Sequence, residues 1–201
     1  MRMDTKKEVE RMSNASLILA SASPRRRELL ALMGIDFQIC SVDVDEHLTG
    51  HPRQIVAALA ERKARAAYAL HPGCTVLGAD TLVYCKGEVL GKPRDESDAL
   101  RMLRLLSNSE NTVFTGVCVI EGKSGKQQVD VDETEVFFQP IDADSAMRYV
   151  QSGEPMDKAG AYGVQGMGGM FVKSITGSPS NVIGLPMHLV CDMLRSIGWK
   201  L

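Results

Sequence analysis

The 201-residue sequence has no excess of positive charge: 23 lysines and arginines stand against 25 aspartates and glutamates. A general binder of nucleic acid or of membrane surfaces normally carries a basic surplus, so both classes are disfavoured, though a local basic pocket is not. No apolar run approaches the ~18 residues that a membrane span needs. Leu17–Ala20 imitates the core of a secretory signal, but it is too short, and Asp4, Glu8 and Glu10 precede it. The five cysteines are scattered and contain no CxxC pair. That argues against a zinc cage or a disulfide framework and favours reduced thiols in a cytoplasmic protein. There is no GxxxxGK[ST] loop and no GxGxxG after a strand. His47, His51, His71 and His188 lack metal-ligand spacing and read as surface or turn residues. No repeat, linker or low-complexity tract divides the chain.

What is present is an ordinary soluble composition, 44% hydrophobic and 24% charged. Residues 1–16 are charged and aperiodic and read as a flexible leader, whose Asn14-Ala15-Ser16 sequon is ascribed to chance. Residues 17–201 read as a single α/β domain. Strands are expected at Leu17–Ala20, Phe37–Val44, Thr75–Tyr84 and Glu88–Leu90, then a long hairpin, Thr112–Glu121 with Gln128–Phe138, and a last strand at Phe171–Ile175. Helices are expected at Pro24–Met33, Ile55–Leu70, Asp95–Ser107, Asp142–Gln151 and Pro186–Ile197. Hairpins beside βαβ units imply a mixed sheet.

The stretch LILASASPRR, Leu17–Arg26, concentrates the chemistry. A buried strand runs into Ser21 and Ser23, then into a helix that begins at Pro24 and carries Arg25 and Arg26. Free backbone N–H groups, the helix dipole, two hydroxyls and two guanidinium forks together suit a phosphate. Helix capping by Ser23 with solvated arginines is the structural alternative. Asp80 interrupts an otherwise buried strand and so requires a metal or a basic partner. Gly78 and Ala79 are expected to leave room for a ligand beside the backbone. Lys63 shares a helix face with Ile55, Leu59 and Leu70, which aims its ammonium into a cleft unless it snorkels outward. Glu46 ends the acidic run Asp43–Glu46 and is a candidate magnesium ligand. Lys92 lies in the loop Gly91-Lys92-Pro93 and is a weaker candidate cation.

In this order Ser21–Arg26, Asp45-Glu46, Glu61–Ala64, Gly78–Thr81, Gly91–Arg94 and Asp157–Gly166 resemble the motifs of the Maf family, over nearly the whole chain from Leu17 to Ile197. The resemblance implies an ITPase-like (Maf-like) fold: an elongated mixed β-sheet with flanking helices, and two lobes around a cleft. It implies a nucleoside triphosphate pyrophosphatase using a divalent cation, Mg²⁺ with Mn²⁺ or Co²⁺ as substitutes. Members divide into a dTTP/UTP group and a group acting on methylated GTP. Arg25, Thr81 and Gln165 match the first group, modified pyrimidine nucleotides included.

The expected assignments follow. Asp80, Glu46, Lys63 and Lys92 are catalytic, with Asp80 favoured as the base. Glu46 and Asp80 hold the metal. Ser21, Ser23, Arg25, Arg26, Thr81 and Gln165 bind the substrate. The four cations Arg25, Arg26, Lys63 and Lys92 balance the roughly four negative charges of a triphosphate. The expected partner is the nucleotide, with neither membrane nor nucleic acid, and a homodimer is left open. A non-enzymatic regulator of cell division, the effect for which the family was first named, and a phosphatase releasing orthophosphate remain as alternatives.

Overall fold

In the computed structural model, which describes residues 17–201, the buried run Leu17–Ala20 forms strand β1. The expected leader and its sequon lie outside the described residues. A short turn leads to helix α1, Pro24–Leu32, with proline in its first turn. Strand β2, Phe37–Ile39, is shorter than its apolar pattern suggests. It lies at the sheet edge and pairs only with Leu17–Leu19 of β1, a four-residue partner too short to carry the ladder on to Val44.

Helix α2, Pro52–Leu70, is followed by three long or linked strands: β3 (Thr75–Cys85), the short β4 (Glu88–Leu90), and, after helix α3 (Glu96–Leu106), β5 (Glu110–Ile120). Strand β6, Gln127–Phe138, completes the expected hairpin, and Asp142 caps helix α4, Ala143–Gln151. Three 3₁₀ turns, Glu154–Asp157, Ala159–Ala161 and Met167–Phe171, carry the glycine-rich segment into β7, Val172–Thr176. Helices α5 (Pro179–Ile183) and α6 (Met187–Ser196) end the chain. The five-residue α5 is too short to show a helical period in sequence.

The strands form one seven-stranded mixed sheet in the order β2-β1-β3-β5-β6-β7, with β4 also paired to β3. β1 runs parallel to β2 and β3, and the remaining pairs are antiparallel. At 11 residues each, β3 and β5 extend roughly 35 Å and serve both ends of the molecule. Near β1, Leu77, Ala79, Val117 and Val119 face α1 and α6, while Ile18, Val76 and Cys118 face the alanines of α2. At the other end Val83, Leu90, Val113, Val136 and Phe138 share a core with α3 and α4. These are the two lobes.

Two glycines set how closely α2 approaches the sheet. A Cβ on Gly78 would lie 2.5 Å from the Ala60 carbonyl oxygen, and one on Gly116 would lie 2.3 Å from that of Val56. The space beside Gly78 is therefore filled by helix backbone. This corrects the expectation that it leaves room for a ligand.

Candidate active site

β1 pairs with β3 as far as Gly78, and β4 pairs with β3 only from Val83. Between them, Ala79–Leu82 have no strand neighbour on that edge. The break opens a cavity of about 950 Å³ lined by both lobes. All ten residues singled out from the sequence line it: Ser21, Ser23, Arg25, Arg26, Glu46, Lys63, Asp80, Thr81, Lys92 and Gln165.

Asp80 and Thr81 are consecutive on β3, so their side chains leave opposite faces of the strand. On the α2 face, the close approach at Gly78 brings Lys63 to Asp80. The Lys63 ammonium lies 2.7 Å from Asp80 Oδ1 and 2.6 Å from Glu46 Oε1, with the lysine and aspartate side chains only 13% and 10% exposed. Lys63 thus does not snorkel to solvent, and Asp80 has the basic partner its burial requires. Burial pushes the Glu46 carboxyl up, but the bonded Lys63, followed by Lys92 and Arg26, outweighs it and holds the group below the ordinary carboxylate range.

On the other face, Arg26 donates from Nε to the Gly184 carbonyl at 2.8 Å, from Nη2 to Thr81 Oγ1 at 2.9 Å, and from Nη1 to Ser21 Oγ at 3.3 Å. Burial lowers its pKa, with Asp80 opposing, yet a guanidinium stays charged at any physiological pH. Ser23 caps α1 by accepting from the Arg26 backbone N–H at 3.4 Å, so the capping role and the pocket position coexist. Arg25 sits at the rim, where its Nη1 meets Asp157 Oδ2 at 2.7 Å. Lys92 is exposed, close enough to Glu46 to lower its pKa.

The far wall is the loop Gly163–Gly168. Gly160 and Ala161 enter it with φ of 70° and 57°; the second value is a strained, left-handed conformation for alanine. Gln165 is exposed to the cavity. Sequence reasoning missed Glu154 and Lys158, which lie beneath this loop. The Lys158 stem would touch a Cβ at Gly163, and the Glu154 carboxylate would touch one at Gly166. The available signal was that a loop with few side chains of its own needs an anchor from elsewhere.

Glu46 and Asp80 are the carboxylates that converge on Lys63 in the cleft, and among the described residues no cluster of three metal-ligating side chains occurs. A cationic ammonium already sits between the pair, so the local field suits positive charge. Mg²⁺ beside phosphates commonly takes only one or two protein carboxylates, and these two fit a divalent ion that shares its ligands with a phosphate chain. No helix among the described residues is long and apolar enough to cross a membrane.

A family model described as Maf-like protein matches residues 16–197. The dTTP/UTP pyrophosphatase of Pelotomaculum thermopropionicum is 46% identical over 186 residues, covering 92% of this chain and 97% of that protein. The dTTP/UTP pyrophosphatase of Symbiobacterium thermophilum is 47% identical over 187 residues, covering 92% and 95%. That of Moorella thermoacetica is 48% identical over 186 residues, covering 92% and 96%. Among solved structures, the Staphylococcus aureus Ham1 protein aligns with a TM-score of 0.51 at 15% identity, over 90% of this chain and 99% of that one. That likeness concerns the fold, and it agrees with the ITPase-like architecture expected from the sequence.

Proposed function

This chain belongs to the Maf-like protein family, and from that premise we propose that it hydrolyses dTTP and UTP to the nucleoside monophosphate and pyrophosphate. The observation that carries the reading is the break in β3's edge. It gathers the cations Arg26, Lys63 and Lys92 and the carboxylates Glu46 and Asp80 around one cavity.

On this reading the triphosphate lies against the start of α1, with Arg26 and Lys92 countering its charge. Lys63 occupies Oδ1 of Asp80 and leaves Oδ2 to accept a proton from water. The water oxygen bonds to the α-phosphorus as the bond to the bridging oxygen breaks. The electron pair leaves on pyrophosphate, whose charge is met by the same cations. Glu46, paired with Lys63 on the other side of the ammonium, serves as a ligand and counter-charge. Glu46 would hold a divalent cation, expected to be Mg²⁺, together with phosphate oxygens, and Asp80 would be its second ligand where it does not serve as the base. When bound it neutralises charge as a Lewis acid. Gln165 offers the base an amide with one acceptor oxygen and two donor hydrogens, suited to the N3–H and a carbonyl of uracil or thymine. Cys40, Cys85 and Cys118 are buried as thiols, which supports a cytoplasmic setting.

The test is hydrolysis of UTP and dTTP with Mg²⁺ in ¹⁸O water. Label in the monophosphate is expected. Label in pyrophosphate, orthophosphate as the direct product, or no turnover at all would overturn the reading.

A further inference from the structure

Gln165 has no side-chain hydrogen bond among the described residues, yet reading a base edge requires its amide to be held in place. Its orientation must come from the backbone on either side. On the C-terminal side, one carboxylate takes the loop. Glu154 Oε2 accepts from the Met167 N–H at 2.9 Å, and Oε1 accepts from the Gly168 N–H at 3.2 Å and from the Tyr149 hydroxyl at 3.0 Å. Gly166, the residue after Gln165, presses on the same carboxylate, since a Cβ there would lie 2.5 Å from both of its oxygens. On the N-terminal side, Gly163 lies over the Lys158 stem, whose ammonium bonds the Glu154 carbonyl and Asp157 Oδ1. Burial raises the Glu154 carboxyl, but the Met167, Gly168 and Tyr149 donors and the Lys158 charge outweigh it, so the group stays ionised and accepts at both oxygens.

We propose that Glu154 is a positioning residue for base selection: its carboxylate fixes residues 166–168 and through them aims the Gln165 amide. The inference rests on the pyrophosphatase reading above. Glu154 lines the same cavity, but both of its carboxylate oxygens are taken by the loop and by Tyr149. Its role is separable from the chemistry at Asp80, which sits on another element.

The decisive variant is Glu154→Gln. It keeps the shape but replaces one acceptor oxygen by an NH₂ that faces N–H or O–H donors. The ratio of kcat/KM for UTP to that for GTP should fall at least about threefold, through a higher KM for UTP, while kcat for GTP stays within about twofold. In a Gln165→Ala background the same change should leave the ratio where Gln165→Ala alone puts it, because both act through one amide. A folded E154Q with the wild-type ratio overturns the proposal, and so does an equal fall in both backgrounds. If E154Q does not fold, Tyr149→Phe removes one of the three donors and decides on the same ratio. A smaller fall in Y149F supports the proposal and an unchanged ratio overturns it. A wild-type protein that turns over neither UTP nor dTTP defeats the reaction reading. An intact preference in the variants defeats only the role of Glu154.

Discussion

Arg26 Nη2 donates to Thr81 Oγ1 at 2.9 Å, and Thr81 Oγ1 shares a further 3.0 Å bond with Thr115 Oγ1. A cation from the start of α1 is thereby tied to paired positions on β3 and β5, two long neighbouring strands of the sheet. Thr81 was singled out as a substrate-binding residue. In the structure its hydroxyl is already engaged with Arg26 and Thr115, so its contribution to the site runs through the guanidinium.

Thr81→Val should therefore act on binding. It removes an acceptor from a half-buried guanidinium, a loss of about 1–3 kcal/mol shared between stability and substrate affinity. KM for UTP should rise several-fold with a smaller change in kcat. Steady-state kinetics beside a melting curve separates the two effects, and a fall in kcat at constant KM would contradict the assignment.

Asp80→Asn should behave in the opposite sense. If Asp80 is the base, kcat should fall at least ~10²-fold, the lower end of general acid–base contributions. Lys63 keeps Glu46 as a partner, so the fold should survive, as circular dichroism would show. A folded D80N with near-normal turnover removes Asp80 from the mechanism.

Gly116→Ala tests how packing delivers Lys63 to Asp80. The new Cβ would meet the Val56 carbonyl group at 2.3 Å, where neither backbone can yield without moving α2. Overpacking of this kind costs about 1–3 kcal/mol. Both a lower Tm and a loss of turnover are expected, since α2 carries Lys63. Unchanged activity in a destabilised G116A would mean that the Lys63–Asp80 contact tolerates displacement of the helix.

The first turn of α3 supplies a pH-dependent prediction. The hydrogen bond from Arg101 holds Asp98 below the usual aspartate range, burial opposes it, and Arg94 adds to the lowering. A depressed pKa means that the stabilisation is complete above the unfolded value of ~3.9 and is lost as pH falls through the folded value. Asp98→Asn should lower Tm by a constant amount at neutral pH. The gap to wild type should narrow below about pH 4, measured by thermal melts across pH 3–7. A gap that does not depend on pH would place the effect in packing instead.

The positions that sequence made legible are those where a residue breaks its own local pattern. Asp80 stands in a buried strand and Lys63 on the inner face of an amphipathic helix, and the two prove to be each other's partners. Gly78 was misjudged for a related reason. The sequence records that a side chain is missing but not that α2 occupies the space. The pairing of Arg25 with Asp157 spans 132 positions and leaves no local signature. Glu154 carries no local signature either, because two of the three donors it binds are backbone N–H groups, which no side-chain pattern encodes. The strand at Phe37 was overextended because its length is set by β1, not by its own composition.

The break along β3 also bears on solubility. An unpaired strand edge presents backbone donors and acceptors to any extended segment of another chain and is a common seed for aggregation. Here Ala79–Leu82 form such an edge, and the charges Arg26, Lys63 and Lys92 that line the cavity beside it would disfavour docking of a neutral strand. The groups proposed to attract a polyanion would thus also guard the sheet against its own kind. Variants that neutralise several of them at once would trade catalysis for self-association.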